Sequence, residues 1–200
     1  MSRQLSWILA AGLALGLAVG LPTRLGAAAT SYRAELQNVM ADFERGEALR
    51  LEGRSGDGRK ISDAAAKRLN VAAFGIFSSY TLVWSGLLLG SESPESLRSV
   101  FDEILLVGVV AQKAVDYLRA LGNERYATVA QYLYDYWINT YQTDLQQKKQ
   151  LLASAPLAKD KEKIIEMVDQ QLDVFSTVKS LPPEDLEMMR YQLLEQLKGG

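Results

Sequence analysis

A chain of 200 residues, 48% hydrophobic and 23% charged, has ordinary globular composition and is long enough to bury one core. Its 22 basic and 24 acidic residues are interspersed, so we do not expect the concentrated positive surface that nucleic acid binding requires. Cysteine and histidine are absent, which excludes disulfides, thiol nucleophiles, imidazole metal ligands and the usual general base near neutral pH.

The first 29 residues have the three parts of a signal peptide. Arg3 precedes an apolar stretch, 5–21, and the small residues 27–29 fit the requirement of a signal peptidase. We therefore expect residues 1–29 to direct export, and the mature chain, 30–200, to work in a periplasm or lumen, or as a secreted protein. The alternative is a retained membrane anchor, in which glycines spaced by four would share one helix face: Gly12, Gly16 and Gly20.

The first half of the mature chain shows two helical patterns separated by glycines. Apolar spacing predicts a first helix that ends near Gly46, and the glycine-rich segment 53–60 is expected to be a loop. Ser62 is expected to cap the second helix, which should end at Gly90.

The second half begins with a strong helix-start signal. Ser93-Pro94-Glu95 combines a cap residue, a proline at the first helical position and an acid in the first turn, and it predicts a third helix. Three further helices are expected, with breaks at Gly122-Asn123, Pro156 and Pro182-Pro183. The sequence therefore predicts one all-α domain, a helical bundle of five to six antiparallel helices joined by short loops.

The longest uncharged run of the mature chain is 69–91, LNVAAFGIFSSYTLVWSGLLLGS. It is long enough for a membrane span or for the central helix of a bundle. Basic residues precede it and acidic residues follow, so a span in an exported chain would place the basic flank outside, against the usual bias. Four of its polar residues lie on one side, and the hydroxyls among them can bond to the helix's own carbonyls: Asn70, Ser78, Thr81 and Ser85. We therefore expect a buried core helix rather than a span at 69–91.

The fourth predicted helix is the most aromatic part of the chain, and its apolar arc is wider than one core contact requires. Tyrosine and tryptophan combine an apolar body with a polar tip, which suits interfaces and pocket mouths. The candidate residues for binding a partner or ligand are taken from this helix and from the uncharged run: Tyr132, Tyr134, Tyr136, Trp137, Tyr141 and Trp84. A two-sided core helix whose tyrosine tips reach solvent is the alternative.

The sequence contains little that indicates catalysis. Ser176 and Lys179 match the S-x-x-K spacing of serine acyl-enzymes, but those enzymes also require strands. Acidic residues on the third and fourth helices could form only an all-oxygen site for a hard cation, and solvated faces explain them as well. We therefore expect no enzyme activity, no metal and no cofactor.

Three hypotheses about function follow from these patterns. The first is an exported, non-catalytic protein that binds another protein, as an accessory or assembly factor of a membrane complex. The second is a carrier that encloses an apolar small molecule, such as a lipid, quinone or pigment, inside the bundle. The third is an integral membrane subunit that spans the bilayer at 69–91.

Overall fold

The computed structural model describes residues 32–198, without the side chains at 183, 186, 190, 193–194 and 196–198. The predicted signal peptide, 1–29, lies outside the described residues. Seven α-helices and one π-helical segment form the described chain, and no strand occurs within it. They are α1 (Arg33–Leu51), α2 (Ser55–Leu88), α3 (Pro94–Ala120), α4 (Glu124–Asp135), the π segment (Tyr136–Thr140), α5 (Tyr141–Ser154), α6 (Lys161–Ser180) and α7 (Pro183–Lys198).

The prediction of an all-α protein is therefore confirmed. α4, the π segment and α5 follow one another without a break, so this part of the chain contains six continuous helical stretches, in agreement with the five to six expected. Pro94 is the first residue of α3, and Pro183 is the first residue of α7, as their start signals predicted. Residues from α1 to α6 form one hydrophobic core cluster, and Met189 of α7 packs against it.

Glycines in the left-handed conformation end the first three helices. Gly90 and Gly122, with φ of 71° and 67°, follow α2 and α3 as the sequence predicted. At the second of these turns, the Asn123 N–H donates to the Leu118 carbonyl at 2.8 Å, which closes a Schellman motif. Gly53, with φ of 79°, ends α1 in the same way.

The expected loop at 53–60 is wrong, because α2 begins at Ser55, immediately after the Gly53 turn. The glycines of this segment serve a close contact between helices. A Cβ atom at Gly58 would collide with the Gly46 carbonyl oxygen of α1, and one at Gly46 would lie 2.9 Å from the Gly58 carbonyl oxygen. Ser62 is buried at this contact and does not cap a helix. Backbone proximity between α1 and α2 thus overrides the low helix propensity of glycine.

The central helix of the bundle is α3 rather than the uncharged run. α3 packs against α1, α2, α4, α6 and α7, and its six consecutive residues 106–111 are all buried, so it is enclosed on every side there. α2 packs against α1, α3, α4 and α5 with one side only. Its opposite side is exposed over much of the uncharged run. The expectation that this run forms a core helix is correct for only one face.

The contact between α1 and α2 can be tested with two glycines of the same helix. Gly58→Ala is expected to destabilise the protein by about 1–3 kcal/mol, because the new methyl group overpacks the contact with Gly46. Gly56→Ala is the matched control: a Cβ there meets nothing within 4 Å, so a neutral effect or a gain of up to about 1 kcal/mol is expected. Urea unfolding followed by circular dichroism gives both values, and equal effects would contradict the close contact.

Candidate protein-binding site

The six aromatic residues singled out from the sequence occupy three kinds of position. Trp84, Trp137 and Tyr141 are buried in the core. Tyr134 and Tyr136 are half-buried, and their rings contact Trp137 and Phe77 respectively. Tyr132 is the exposed member, with 62% of its surface accessible.

The buried members form one ring cluster between α2, the α4–α5 stretch and α6. The Phe175 ring lies 5.0 Å from Trp137 and 5.2 Å from Tyr141, measured between centroids. Tyr80 joins the cluster from α2, 5.3 Å from Tyr141. Tyr80 and Phe175 are not among the candidates predicted from the sequence, although both lie on the apolar stripes of their helices. The cluster connects three helices through edge and tilted ring contacts, which favour stability.

The π segment sets the direction of Trp137. Its indole ring lies directly on Gly108 of α3, where a Cβ atom would collide with the ring. A π turn holds one residue more than an α turn. The side chains that follow it therefore point in other directions than they would if the same sequence continued as a regular α-helix. Trp137 lies within the π segment and Tyr141 follows it directly, and both side chains are buried.

Burial, together with a hydrogen bond at the edge of the cluster, keeps Tyr80 protonated. Its hydroxyl donates to the Asp144 carboxylate at 2.7 Å, and the Lys148 ammonium lies 3.7 Å from the same carboxylate. Burial, followed by the neighbouring Tyr141 and Asp144, raises the pKa of Tyr80 far above its ordinary range. Burial likewise raises the pKa of Tyr141. Both phenols are therefore neutral at physiological pH and do not act as bases.

Three polar atoms within the ring cluster have no hydrogen-bond partner. They are the indole N–H groups of Trp84 and Trp137 and the hydroxyl of Tyr141, all fully enclosed. Leaving such a group unsatisfied costs about 1–3 kcal/mol. The rings surrounding them are in direct contact with one another, so the cluster forms part of the packed core. The hypothesis that it binds an apolar ligand stays a prediction.

The exposed side of α2 is an apolar surface without charge. We define the α2 face by seven residues: Val71, Phe74, Ser78, Thr81, Leu82, Ser85 and Leu89. The exposed fractions of its large side chains are 70% for Val71, 53% for Phe74, 44% for Leu82 and 65% for Leu89. No charged residue lies between Arg68 and Glu92. The face extends about 27 Å at the rise of an α-helix.

The polar members of the α2 face are partly satisfied by their own helix. The Thr81 hydroxyl donates to the Phe77 carbonyl at 3.0 Å, and the Ser85 hydroxyl donates to the Thr81 carbonyl at 2.9 Å. These two hydrogen bonds agree with the back-bonding that the sequence predicts. A hydroxyl that is already bonded to a carbonyl loses little when water leaves, so both residues can be covered by an apolar partner at low cost.

The surroundings of the α2 face are asymmetric in charge. Lys67 lies one turn before Val71, and Glu92 follows Leu89 after the Gly90 turn. A surface depression of about 210 Å³ adjoins the Lys67 end, lined by Tyr32, Glu35, Lys67, Arg68, Val71 and Ala72. Within the described residues no group of three or more Asp or Glu side chains could hold a metal ion.

Among the helices of residues 32–198, only α2 has the length and composition that a membrane span requires. Only 33% of the residues in its most apolar window are buried inside the bundle. The α2 face accounts for much of the exposed remainder. This exposed fraction is unusual for the core helix of a water-soluble bundle.

No family model, curated protein or solved structure matches the chain. Function must therefore be inferred from the residues themselves.

The Tyr80 hydrogen bond can be tested by removing one oxygen. Tyr80→Phe is expected to destabilise the protein by about 1–2 kcal/mol, because the bond to the Asp144 carboxylate is lost while the ring contacts remain. Tyr132→Phe removes an exposed hydroxyl and is expected to leave stability unchanged. Thermal or urea unfolding measures both variants. A Tyr80→Phe protein as stable as the control would contradict the role assigned to this bond.

Proposed function

We propose that this chain is an exported, non-catalytic helical protein that binds another protein through the α2 face, as an accessory or assembly factor of a membrane complex. The observation that supports it is the α2 face itself. Exposed patches of large apolar side chains on folded proteins commonly mark interaction surfaces. The absence of charge over about 27 Å favours a partner whose own surface is apolar and neutral.

The aromatic residues selected from the sequence contribute beside this face. Tyr136 lies on the neighbouring helix, with its ring 5.0 Å from that of Phe77 of α2. Half-buried tyrosines at the edge of an apolar face are suited to an interface rim, since the hydroxyl can stay in water. Tyr132 is exposed on the same helix as Tyr136 and remains a candidate contact.

Charge placed on the α2 face provides a direct test of binding. The full-length chain carrying an affinity tag, expressed in cells of its own organism, is expected to copurify with a subunit of a membrane complex. Val71→Lys with Leu82→Lys is expected to lower recovery of that subunit by at least about tenfold, because a lysine buried against an apolar partner costs more than 1.4 kcal/mol.

The matched control for this test carries the same charge on another surface. Leu151 and Leu157 are exposed to 55% and 61%, and Leu151→Lys with Leu157→Lys is expected to keep recovery unchanged. All four positions are exposed, so neither variant should impair folding. Equal recovery with both variants, or recovery of no membrane protein by the unmodified chain, would contradict the proposal.

The length and composition of α2 favour a second candidate, an integral membrane subunit that spans at 69–91. The two candidates differ in how the chain behaves without its leader. If the α2 face binds a protein partner, residues 30–200 expressed alone should remain in solution after ultracentrifugation without detergent. A fragment that is recovered only in detergent would support the membrane span instead.

A further inference from the structure

The occupant that best fits the α2 face is another α-helix. Val71, Ser78 and Ser85 are seven residues apart, and so are Leu82 and Leu89, which is the spacing of a coiled-coil seam. The serines are small and allow a second helix to approach closely. Flanking contacts confine the face to one side of α2, because Tyr32 lies on Gly75 and Tyr136 lies on Phe77.

The α2 face is also nearly symmetric about Ser78. Phe74 and Leu82 lie four residues before and after it, and Val71 and Ser85 lie seven residues before and after it. A second α2 helix running in the opposite direction, with the two-fold axis at Ser78, would pair these positions with one another, so that Val71 would face the small Ser85. Phe74 would then face Leu82 of the second copy, and the small Ser78 would face itself. Such self-complementarity is what a two-fold interface requires.

The charges at the two ends of the face select the direction of pairing. Lys67 lies eleven residues before Ser78, and Glu92 lies fourteen residues after it. Antiparallel pairing brings Lys67 of one chain level with Leu89 of the other, next to the Gly90 turn, after which Glu92 lies against Gly86. Parallel pairing would instead place Lys67 against Lys67 and Glu92 against Glu92, which is unfavourable.

We propose that the α2 face pairs with the α2 face of a second copy of this chain, antiparallel and centred on Ser78. This inference rests on the proposed function, since it names the first partner of the same surface. A membrane subunit that binds the α2 face therefore has to displace the second copy.

The absence of cysteine in the chain permits a clean disulfide test. Single cysteines are introduced into the full-length protein, whole cells are treated with a mild oxidant, and products of twice the chain mass are measured on non-reducing gels. Ser78→Cys is expected to crosslink at least about tenfold more than Ser99→Cys, an exposed control on α3, because a preformed pair raises the effective thiol concentration.

Mixed pairs determine the direction of the helices. In the antiparallel arrangement Val71→Cys should not crosslink with itself, since its two copies lie about 21 Å apart along the axis. It should crosslink with Ser85→Cys when both chains are coexpressed. Adding Leu82→Lys to Ser78→Cys should reduce crosslinking about tenfold, and adding Leu151→Lys should not.

Three results would overturn the dimer. They are a Ser78→Cys yield equal to that of Ser99→Cys, self-crosslinking of Val71→Cys as strong as its mixture with Ser85→Cys, and insensitivity to Leu82→Lys. Failure of the dimer remains distinguishable from failure of the proposed function. A chain that does not crosslink with itself, but whose recovery of a membrane subunit depends on Val71 and Leu82, would refute the dimer and leave the function standing.

Discussion

The enclosure of α3 is the constraint on which the rest of the structure depends. A helix that is buried on every side at 106–111 needs neighbours all around it, and α1, α2, α4, α6 and α7 provide them. Each of these helices contributes one face to that contact and turns the other outwards. For most of them the outer face is charged, as expected for a bundle in water. Over the uncharged run of α2 it is apolar, so the buried and exposed sides of the helix are both uncharged there, and the other helices of the bundle cover only the buried side.

Two close contacts supplement this arrangement. Gly108 of α3 receives the Trp137 ring, and Gly46 and Gly58 bring α1 and α2 into backbone contact. Both contacts are possible because glycine has no side chain, and neither depends on the burial of apolar surface. The second contact fixes which face of α2 turns outwards, because a helix held at Gly58 and packed along Ala65, Leu69 and Ile76 has no freedom to rotate. The chemistry of the exposed surface is therefore determined by contacts on the opposite side of the helix.

Much of this fold could be predicted from local sequence signals. Proline at Pro94 and Pro183 and glycine at Gly90 and Gly122 act through their own backbone preferences, and the corresponding helix ends agree. The segment 53–60 could not be predicted in this way. Glycine indicates a loop when considered alone, and only the position of Gly46 in space shows that Gly58 is a contact residue. The Gly53 turn, in contrast, resembles those at Gly90 and Gly122 and could have been recognised.

The candidate site was less predictable, because periodicity cannot distinguish a face buried in the core from one that is apolar and exposed. Trp84, Trp137 and Tyr141 were selected for being aromatic and proved to be core residues. Val71, Phe74, Leu82 and Leu89 belong to the same uncharged run and differ from their buried neighbours only in direction. That direction is set by the whole bundle.

The π segment has a consequence for how this helix tolerates change in length. A π turn holds one residue more than an α turn, so removing one residue from Tyr136–Thr140 would convert the segment to regular α-helix and leave α5 nearly in phase with α4. Tyr141, Leu145 and Leu152 would keep their direction towards the core, and Asp144 would stay opposite Tyr80. The same deletion within α5 would instead rotate everything after it by about 100°. Relatives of this chain should therefore differ by one residue in length at this segment more readily than elsewhere in the α4–α5 stretch.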